Sequence, residues 1–238
     1  MSLPLCLWSG PRNISTAMMR SFDARADTHV WDEPFFAPFL ARTGLAHPGR
    51  EDTLAKCETD ADVVAAQCVA DIPARYHFQK HMAHHMTPGM PMGWASRARH
   101  ALLIRHPARV IASYARGRSD FTADDLGYRR LMGLRSELEV LSGARPVVFD
   151  SDRILADPDG QLRALCAALS IPWDDAMLSW EAGPRLEDGP WAPYWYAKVN
   201  ASTGFAPPPG DLPDVDPAHA DIYAATIGPY EALLSEAG

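Results

Sequence analysis

The sequence predicts an α/β fold, a mostly parallel sheet with helices on both faces. Short apolar runs of strand length alternate along the chain with segments of helical periodicity. Twice, at 3–22 and 101–117, such a run breaks into a turn and continues as a helical pattern. A chain of 238 residues, 47% of them hydrophobic, is long enough for one ordinary core, and we expect a single domain over 1–238.

The elements follow in order. Leu3, Leu5, Leu7 and Trp8, with Cys6 between them, read as a strand buried on both faces. Ser9-Gly10-Pro11-Arg12-Asn13 breaks the pattern, and Ser15 or Thr16 is placed to cap a helix carrying Met18, Met19 and Phe22. Thr28 to Trp31 is a second strand, stopped by Asp32-Glu33-Pro34, and Phe35 to Arg42 a helix bounded by Gly44 and Pro48. Glu51 to Asp71 has the composition of one covering helix, with Val63, Val64, Ala66, Cys68 and Val69 on its apolar face. Arg75 to Lys80 is a third strand with His81, His84 and His85 just past its end, and Pro88 to Gly93 an irregular stretch suited to a mobile cover.

Ala101 to Ile104 is the fourth strand, after which Pro107 opens a helix bearing Val110, Ile111 and Tyr114. Phe121 to Leu141 reads as a long helix with Gly127 or Gly133 as an interruption, and Pro146 to Phe149 as the fifth strand. Pro158 starts a helix to Leu169, and Asp174 to Glu181 is a short one. Gly183 to Pro217, rich in Gly, Pro and Trp, has no periodic pattern and is too long for an ordinary connection. Ala218 to Leu234 is the closing helix. No repeat or coiled-coil heptad interrupts this order.

Composition narrows the function. A formal net charge of -8 argues against a general nucleic-acid surface but allows one basic pocket for an anion. Cys6, Cys57, Cys68 and Cys166 are scattered without a zinc-type pair and read as free thiols in a reducing compartment. No basic n-region precedes an apolar leader, and no run of about 18 apolar residues occurs, so a cytoplasmic protein without membrane insertion is expected. The sequence does not fix an oligomeric state.

Both strand–turn–helix stretches suit an anion, because orphan backbone N–H groups and the helix dipole converge at a helix start. Arg12 adds a full charge to the first. Gly10 is followed by Pro-Arg-Asn-Ile-Ser-Thr, without the Gly-Lys-Ser/Thr of a Walker A loop, so the lysine that spans the β and γ phosphates of a nucleoside triphosphate is missing. In the second stretch Arg105 stands at the strand's C-terminal end and Ser113 eight residues on, an arginine and a hydroxyl for a second phosphate.

Pro11-Arg12-Asn13-Ile14-Ser15-Thr16 resembles the 5'-phosphosulfate loop of sulfotransferases that use 3'-phosphoadenosine-5'-phosphosulfate (PAPS), usually Pro-Lys/Arg-Ser-Gly-Thr/Ser-Thr. Arg105-His106-Pro107 with Ser113-Tyr114 resembles that family's 3'-phosphate site, and Phe149 to Ile154 with Asp157-Pro158 its later strand and Asp-Pro. The resemblance covers roughly residues 3 to 180 and implies a P-loop nucleoside triphosphate hydrolase-like, sulfotransferase-type fold, with the strand order the sequence itself does not reveal. It implies transfer of a sulfuryl group from PAPS to a hydroxyl or amine of a small-molecule acceptor, leaving 3',5'-adenosine bisphosphate, with no metal required. Arg12 would then act on the oxygen bridging to sulfur, and Pro11, Asn13, Ile14, Ser15, Thr16, Arg105 and Ser113 would bind the cofactor. Ile14 stands where the family has glycine, so the loop there must keep φ below zero or bear strain.

Two residues compete as the base that takes the acceptor's proton. His81 follows a predicted strand end, as a histidine does in the family's Lys-Thr-His, although the threonine is absent; Glu33 follows the second strand, as a glutamate does in some bacterial carbohydrate sulfotransferases. An imidazole titrates near neutrality without tuning, whereas a carboxylate needs its pKa raised by about two units, so His81 is preferred. A zinc site from His77, His81 and His85 would need a helix where the residues alternate as in a strand. Lys198, among Trp191, Tyr194, Trp195 and Tyr196, is a further candidate for a phosphate oxygen, although the family's Arg-Lys-Gly signature is missing there. The alternatives are an ATP-using, kinase-like enzyme and a degenerate sulfotransferase fold that only binds.

Overall fold

The computed structural model describes residues 1–118 and 120–237. Five parallel strands form one sheet: β1 (Leu3–Ser9), β2 (Thr28–Asp32), β3 (Tyr76–Met82), β4 (Arg99–Ile104) and β5 (Val147–Asp150), in the order β2-β3-β1-β4-β5. This is the α/β class expected, and each of the five apolar runs forms a strand. β1 lies in the middle, flanked by β3 and β4, so the chain winds outward in both directions from it. In an open parallel sheet that reversal of strand order leaves a crevice at the strands' C-terminal ends.

The helices are α1 (Ser15–Asp23), α2 (Phe36–Thr43), α3 (Arg50–Lys56), α4 (Ala61–Cys68), α5 (Pro107–Tyr114), α6 (Tyr128–Ser142), α7 (Ser151–Ala156), α8 (Pro158–Ala168), α9 (Ala192–Trp195), α10 (Ala197–Asn200) and α11 (Ala220–Leu234). They cover both faces, as period-2 alternation of buried strands requires. On one face Phe22 of α1 stacks on Phe78 of β3 with ring centroids 4.0 Å apart. On the other, Trp8 of β1 stacks on His81 of β3 at 4.3 Å and meets Trp94 at 6.1 Å, while Gln79 Nε2 donates to the carbonyl of Cys68 at the end of α4.

Several local expectations need correction. The stretch 51–71 is two helices rather than one: Asp60 leaves the helix and its carboxylate accepts from the backbone N–H groups of Asp62 and Val63, capping α4. The long helix begins only at Tyr128, because Gly127 holds φ +76, a left-handed conformation that cannot continue a helix. Pro88 to Gly93 is no cover for a site, since Met90 and Met92 are buried in the core. α7, between β5 and Pro158, went unread; Asp150 caps it by accepting from the N–H groups of Asp152 and Arg153. Among the described residues, no helix is long and apolar enough to cross a membrane.

Candidate active site

The strand order sets the site out as a row along the sheet's C-terminal edge. Glu33 follows β2, Lys80 stands near the end of β3, the loop Gly10–Ile14 follows β1, and Arg105 follows β4. Neighbouring strands lie about 4.8 Å apart, so three spacings, ~14 Å, separate the strand ends that carry Glu33 and Arg105. A cavity of about 590 Å³ opens over this edge. The loop residues Pro11 to Thr16, Arg105, Ser113, Lys198 and Glu33 all border it, and His81 does not.

The first loop has a backbone shape that can gather N–H groups around an anion. Arg12 and Ile14 both take positive φ, 61° and 57°, and successive residues alternating in this way make a concave nest of amide donors. Ile14 therefore bears the strain foreseen as the alternative to φ below zero; for a β-branched residue this is a genuine backbone outlier. Neither Ser15 nor Thr16 caps α1: Ile14 holds the N-cap position, no side chain bonds the helix start, and its first N–H groups stay free of a cap. α4, α5, α7 and α8 are capped by the side chains of Asp60, His106, Asp150 and Asp157, whereas α1 begins without one. Gly10 has a separate reason: a Cβ there would stand 2.3 Å from the carbonyl oxygen of Leu126.

The two strand-to-helix loops are tied to each other. Arg12 Nε donates to Ser113 Oγ at 3.0 Å, and Arg105 Nη1 donates back to the carbonyl of Arg12 at 2.9 Å. Asn13 is buried and serves the scaffold, its Nδ2 donating to the carbonyl of Leu103 in β4 at 3.1 Å. Tyr128 OH donates to the carbonyl of Arg105 at 2.6 Å. Burial, then Arg116 and Arg105, lowers the pKa of Arg12 below its ordinary value, and Arg105 is lowered chiefly by burial against the opposing pull of Asp152. Cations crowded at this end, with Arg12 lacking a carboxylate partner among the described residues, make a site that gains from receiving negative charge. Arg105 Nε is buried without a hydrogen-bond partner.

The other end of the row holds a buried acid–base network. Lys80 Nζ donates to Asp32 Oδ1 at 2.8 Å and to Glu33 Oε1 at 2.6 Å, and lies 2.6 Å from Tyr196 OH. Tyr196 OH donates to Asp32 Oδ2 at 2.7 Å, and Trp191 Nε1 to Tyr196 OH at 3.2 Å. Burial opposes the charge on Lys80, but Asp32, Glu33 and Tyr196 hold its pKa well above the ordinary value. Glu33 moves the other way from an ordinary carboxylate: burial raises it to about 7, Lys80 opposing and Asp32 assisting. Glu33 also sits at φ +45, a strained conformation held by its N–H bond to the carbonyl of Lys80.

His81 is elsewhere. β3 runs on to Met82, so His81 lies inside the strand and, by period-2 alternation, on the face opposite Lys80 and Met82. It is 1% exposed, stacked on Trp8, and bonded through Nε2 to Gln79 Oε1 at 3.1 Å. Burial, with His100 and His77 nearby, pushes its pKa well below the ordinary value. The expectation that His81 faces the reacting group is therefore corrected. His77 shares its face, while His85 stacks on Phe36 and Phe39 across the sheet, so the three histidines weighed for zinc do not converge. Among the described residues no cluster of three or more His, Cys, Asp or Glu side chains stands ready for a metal ion.

Lys198 borders the cavity from α10 as an exposed side chain. The irregular segment before it does more than contribute aromatic surface: Gly189 N donates to Asp32 Oδ2 at 3.2 Å, and buried Asp188 pairs with Arg20 of α1 at 2.6 Å. Sequence reading passed over Asp32, Tyr196, Arg109 and Asp152 as site residues. The Asp32-Glu33 pair at a strand end was the available signal; Lys80 and Asp32, which Tyr196 meets in the network, lie 116 and 164 positions away from it and left none.

Comparison with known proteins agrees with this architecture. A sulfotransferase domain family matches residues 3–237. A branched-chain-amino-acid aminotransferase-like protein 1 from Arabidopsis thaliana is 37% identical over 229 residues, 96% of this chain and 41% of that protein, so the chain spans about two fifths of the relative's length. The sulfotransferase domain of the Synechococcus PCC 7002 olefin synthase shares the fold at TM-score 0.55 and 17% identity, covering 98% of this chain and 96% of that one. The sulfotransferase domain from the curacin biosynthetic pathway does so at TM-score 0.55 and 14% identity, covering 99% and 98%. A match over nearly the whole length, on a five-stranded parallel sheet, places this chain in the sulfotransferase domain family.

Proposed function

We propose that the protein moves a sulfuryl group from PAPS to the hydroxyl or amine of a small-molecule acceptor, with Glu33 as the base. The observation that carries this reading is the row Glu33, Lys80, Arg12, Arg105 along one sheet edge, a proton acceptor at one end and two linked anion loops at the other. The residues fit the donor: the uncapped start of α1 and Arg12 suit a 5'-phosphosulfate, and the buried Nε of Arg105, ion-paired with Asp152 at 3.6 Å but without a hydrogen bond, suits a second phosphate on the same nucleotide. PAPS, when bound, supplies an activated sulfuryl group.

Glu33 accepts the acceptor's proton as the acceptor's oxygen or nitrogen forms its bond to sulfur. The bond from sulfur to the bridging oxygen breaks, and its electron pair leaves with the nucleotide as 3',5'-adenosine bisphosphate. Arg12 and the amide nest stabilise the charge that grows on that oxygen, which is where preorganised donors contribute most. Lys80 orients Glu33 through Oε1, while Oε2 stands 3.9 Å from His85 Nε2, beyond hydrogen-bond reach. A carboxylate with a pKa near 7 is matched to proton transfer at neutral pH. Phe36, Trp191 and Trp195 on the cavity wall favour an acceptor of modest size with an apolar body.

Against the ATP reading, the loop offers no lysine for β and γ phosphates and the second anion loop has no role. The four free cysteines support a reducing, cytoplasmic setting. Thermal denaturation with 3',5'-adenosine bisphosphate, AMP and ATP tests the donor assignment: the bisphosphate is expected to raise Tm most, because it satisfies both anion loops. Equal small shifts with all three would overturn it.

A further inference from the structure

Arg109 stands one helical turn before Ser113 on α5, so both side chains lie on the same side of the helix and border the cavity. Its Nε donates to Asp152 Oδ2 at 2.6 Å. The other oxygen of the same carboxylate is 3.6 Å from Arg105 Nε, without a hydrogen bond. One carboxylate thus serves two guanidinium groups, and the fork keeps an excess of positive charge. The remaining nitrogens of Arg109 are spent on neutral partners: Nη1 donates to the carbonyl of Asp211 at 3.2 Å, and Nη2 to that of Gly210.

We propose that Arg109 is the second cation for the nucleotide's 3'-phosphate, held in orientation by Asp152. The proposal rests on the reading of PAPS as donor. Nε stays on Asp152, which fixes the plane of the guanidinium, and the two Nη groups exchange the carbonyls of Gly210 and Asp211 for phosphate oxygens. The exchange is favourable because a bond from a guanidinium to a phosphate has charge on both sides, and a bond to a peptide carbonyl on one. The Pro-rich strap 207–211 is thereby a placeholder over the subsite, its carbonyls occupying donors that the phosphate takes. Asp152 is a positioning residue here and touches no ligand.

Calorimetric titration of 3',5'-adenosine bisphosphate and AMP into wild type, Arg109→Ala and Arg109→Lys separates this role from a structural tie, since AMP lacks only the 3'-phosphate. Arg109→Ala is expected to lose about 10- to 100-fold in affinity for the bisphosphate and less than about threefold for AMP. Arg109→Lys keeps the charge without the fork and is expected to fall between wild type and Arg109→Ala. Equal weakening of both nucleotides by Arg109→Ala, or no weakening of either, would overturn the proposal while a wild-type preference for the bisphosphate leaves the donor reading standing. If wild type shows no such preference, the donor reading fails and this proposal with it. Should Arg109→Ala not fold, Arg109→Lys decides: unchanged discrimination between the two nucleotides would overturn the role of the fork.

Discussion

Glu33 and Lys80 meet at 2.6 Å at the ends of adjacent strands, Lys80 buried and Glu33 largely so, with Glu33 at the cavity wall. A lysine bonded to both Asp32 and Glu33 would ordinarily keep both carboxylates ionised. Burial works against that for Glu33, and the balance leaves it titrating near neutrality.

Replacing Glu33 by Gln should lower the transfer rate at saturating PAPS by about 10²- to 10⁴-fold, the span of a lost general base. Affinity for the bisphosphate should stay within about twofold, because Glu33 lies at the far end of the row. In wild type the rate should rise with pH through a midpoint near 7, as Glu33 loses its proton, and the variant should lack that limb. Single-turnover rates across pH 5 to 9 read both effects.

Stability should depend on pH with a sign set by the same group. Glu33 binds its proton more tightly folded, about 7 against an ordinary 4.5, so its contribution is fully present below about 4.5 and is lost as pH rises through about 7. Urea denaturation at pH 5 and pH 8 should show wild type losing more stability over that interval than Glu33→Gln does. An identical change in both proteins would remove Glu33 from the account.

His81→Ala should destabilise the protein by about 2–4 kcal/mol, since it empties volume packed against Trp8 and Trp94. Transfer per folded molecule should be unchanged. Denaturant midpoints together with active-fraction kinetics check the pair of statements, and a folded His81→Ala protein that cannot transfer would restore the histidine as base.

Arg12→Ala should slow the chemical step by about 10²- to 10³-fold while weakening the bisphosphate less, because its contact strengthens as charge develops on the bridging oxygen. It also removes the bond to Ser113, so some affinity goes with it. Rapid-quench measurement of the transfer step at saturating PAPS distinguishes the two; loss of affinity alone would reduce Arg12 to a binding residue.

Much of the scaffold was legible in the sequence, because apolar strand runs and helix punctuation are local signals. The five strands, the two turns and the uneven charge at Arg12 and Arg105 all depend on neighbours within a few residues. The choice between Glu33 and His81, both named as candidate bases, was not legible. It rested on ordinary pKa values, and these change with burial that only the assembled fold creates: Glu33 rises to about 7 and His81 falls well below its usual range. A difference of two residues in where β3 ends decided which of Lys80 and His81 turns toward the cavity. Arg109 and Asp152 were invisible for a simpler reason, being 43 positions apart and brought together only by the pairing of β4 with β5.

The central claim is tested most directly by release of 3',5'-adenosine bisphosphate from PAPS, followed by chromatography with a panel of small phenols, alcohols and amines. Wild type should release it in an acceptor-dependent way, with the sulfuryl group recovered on the acceptor in equal amount, and Glu33→Gln should bind PAPS but release almost none. Bisphosphate release that no acceptor stimulates, or a Glu33→Gln protein as fast as wild type, would contradict it.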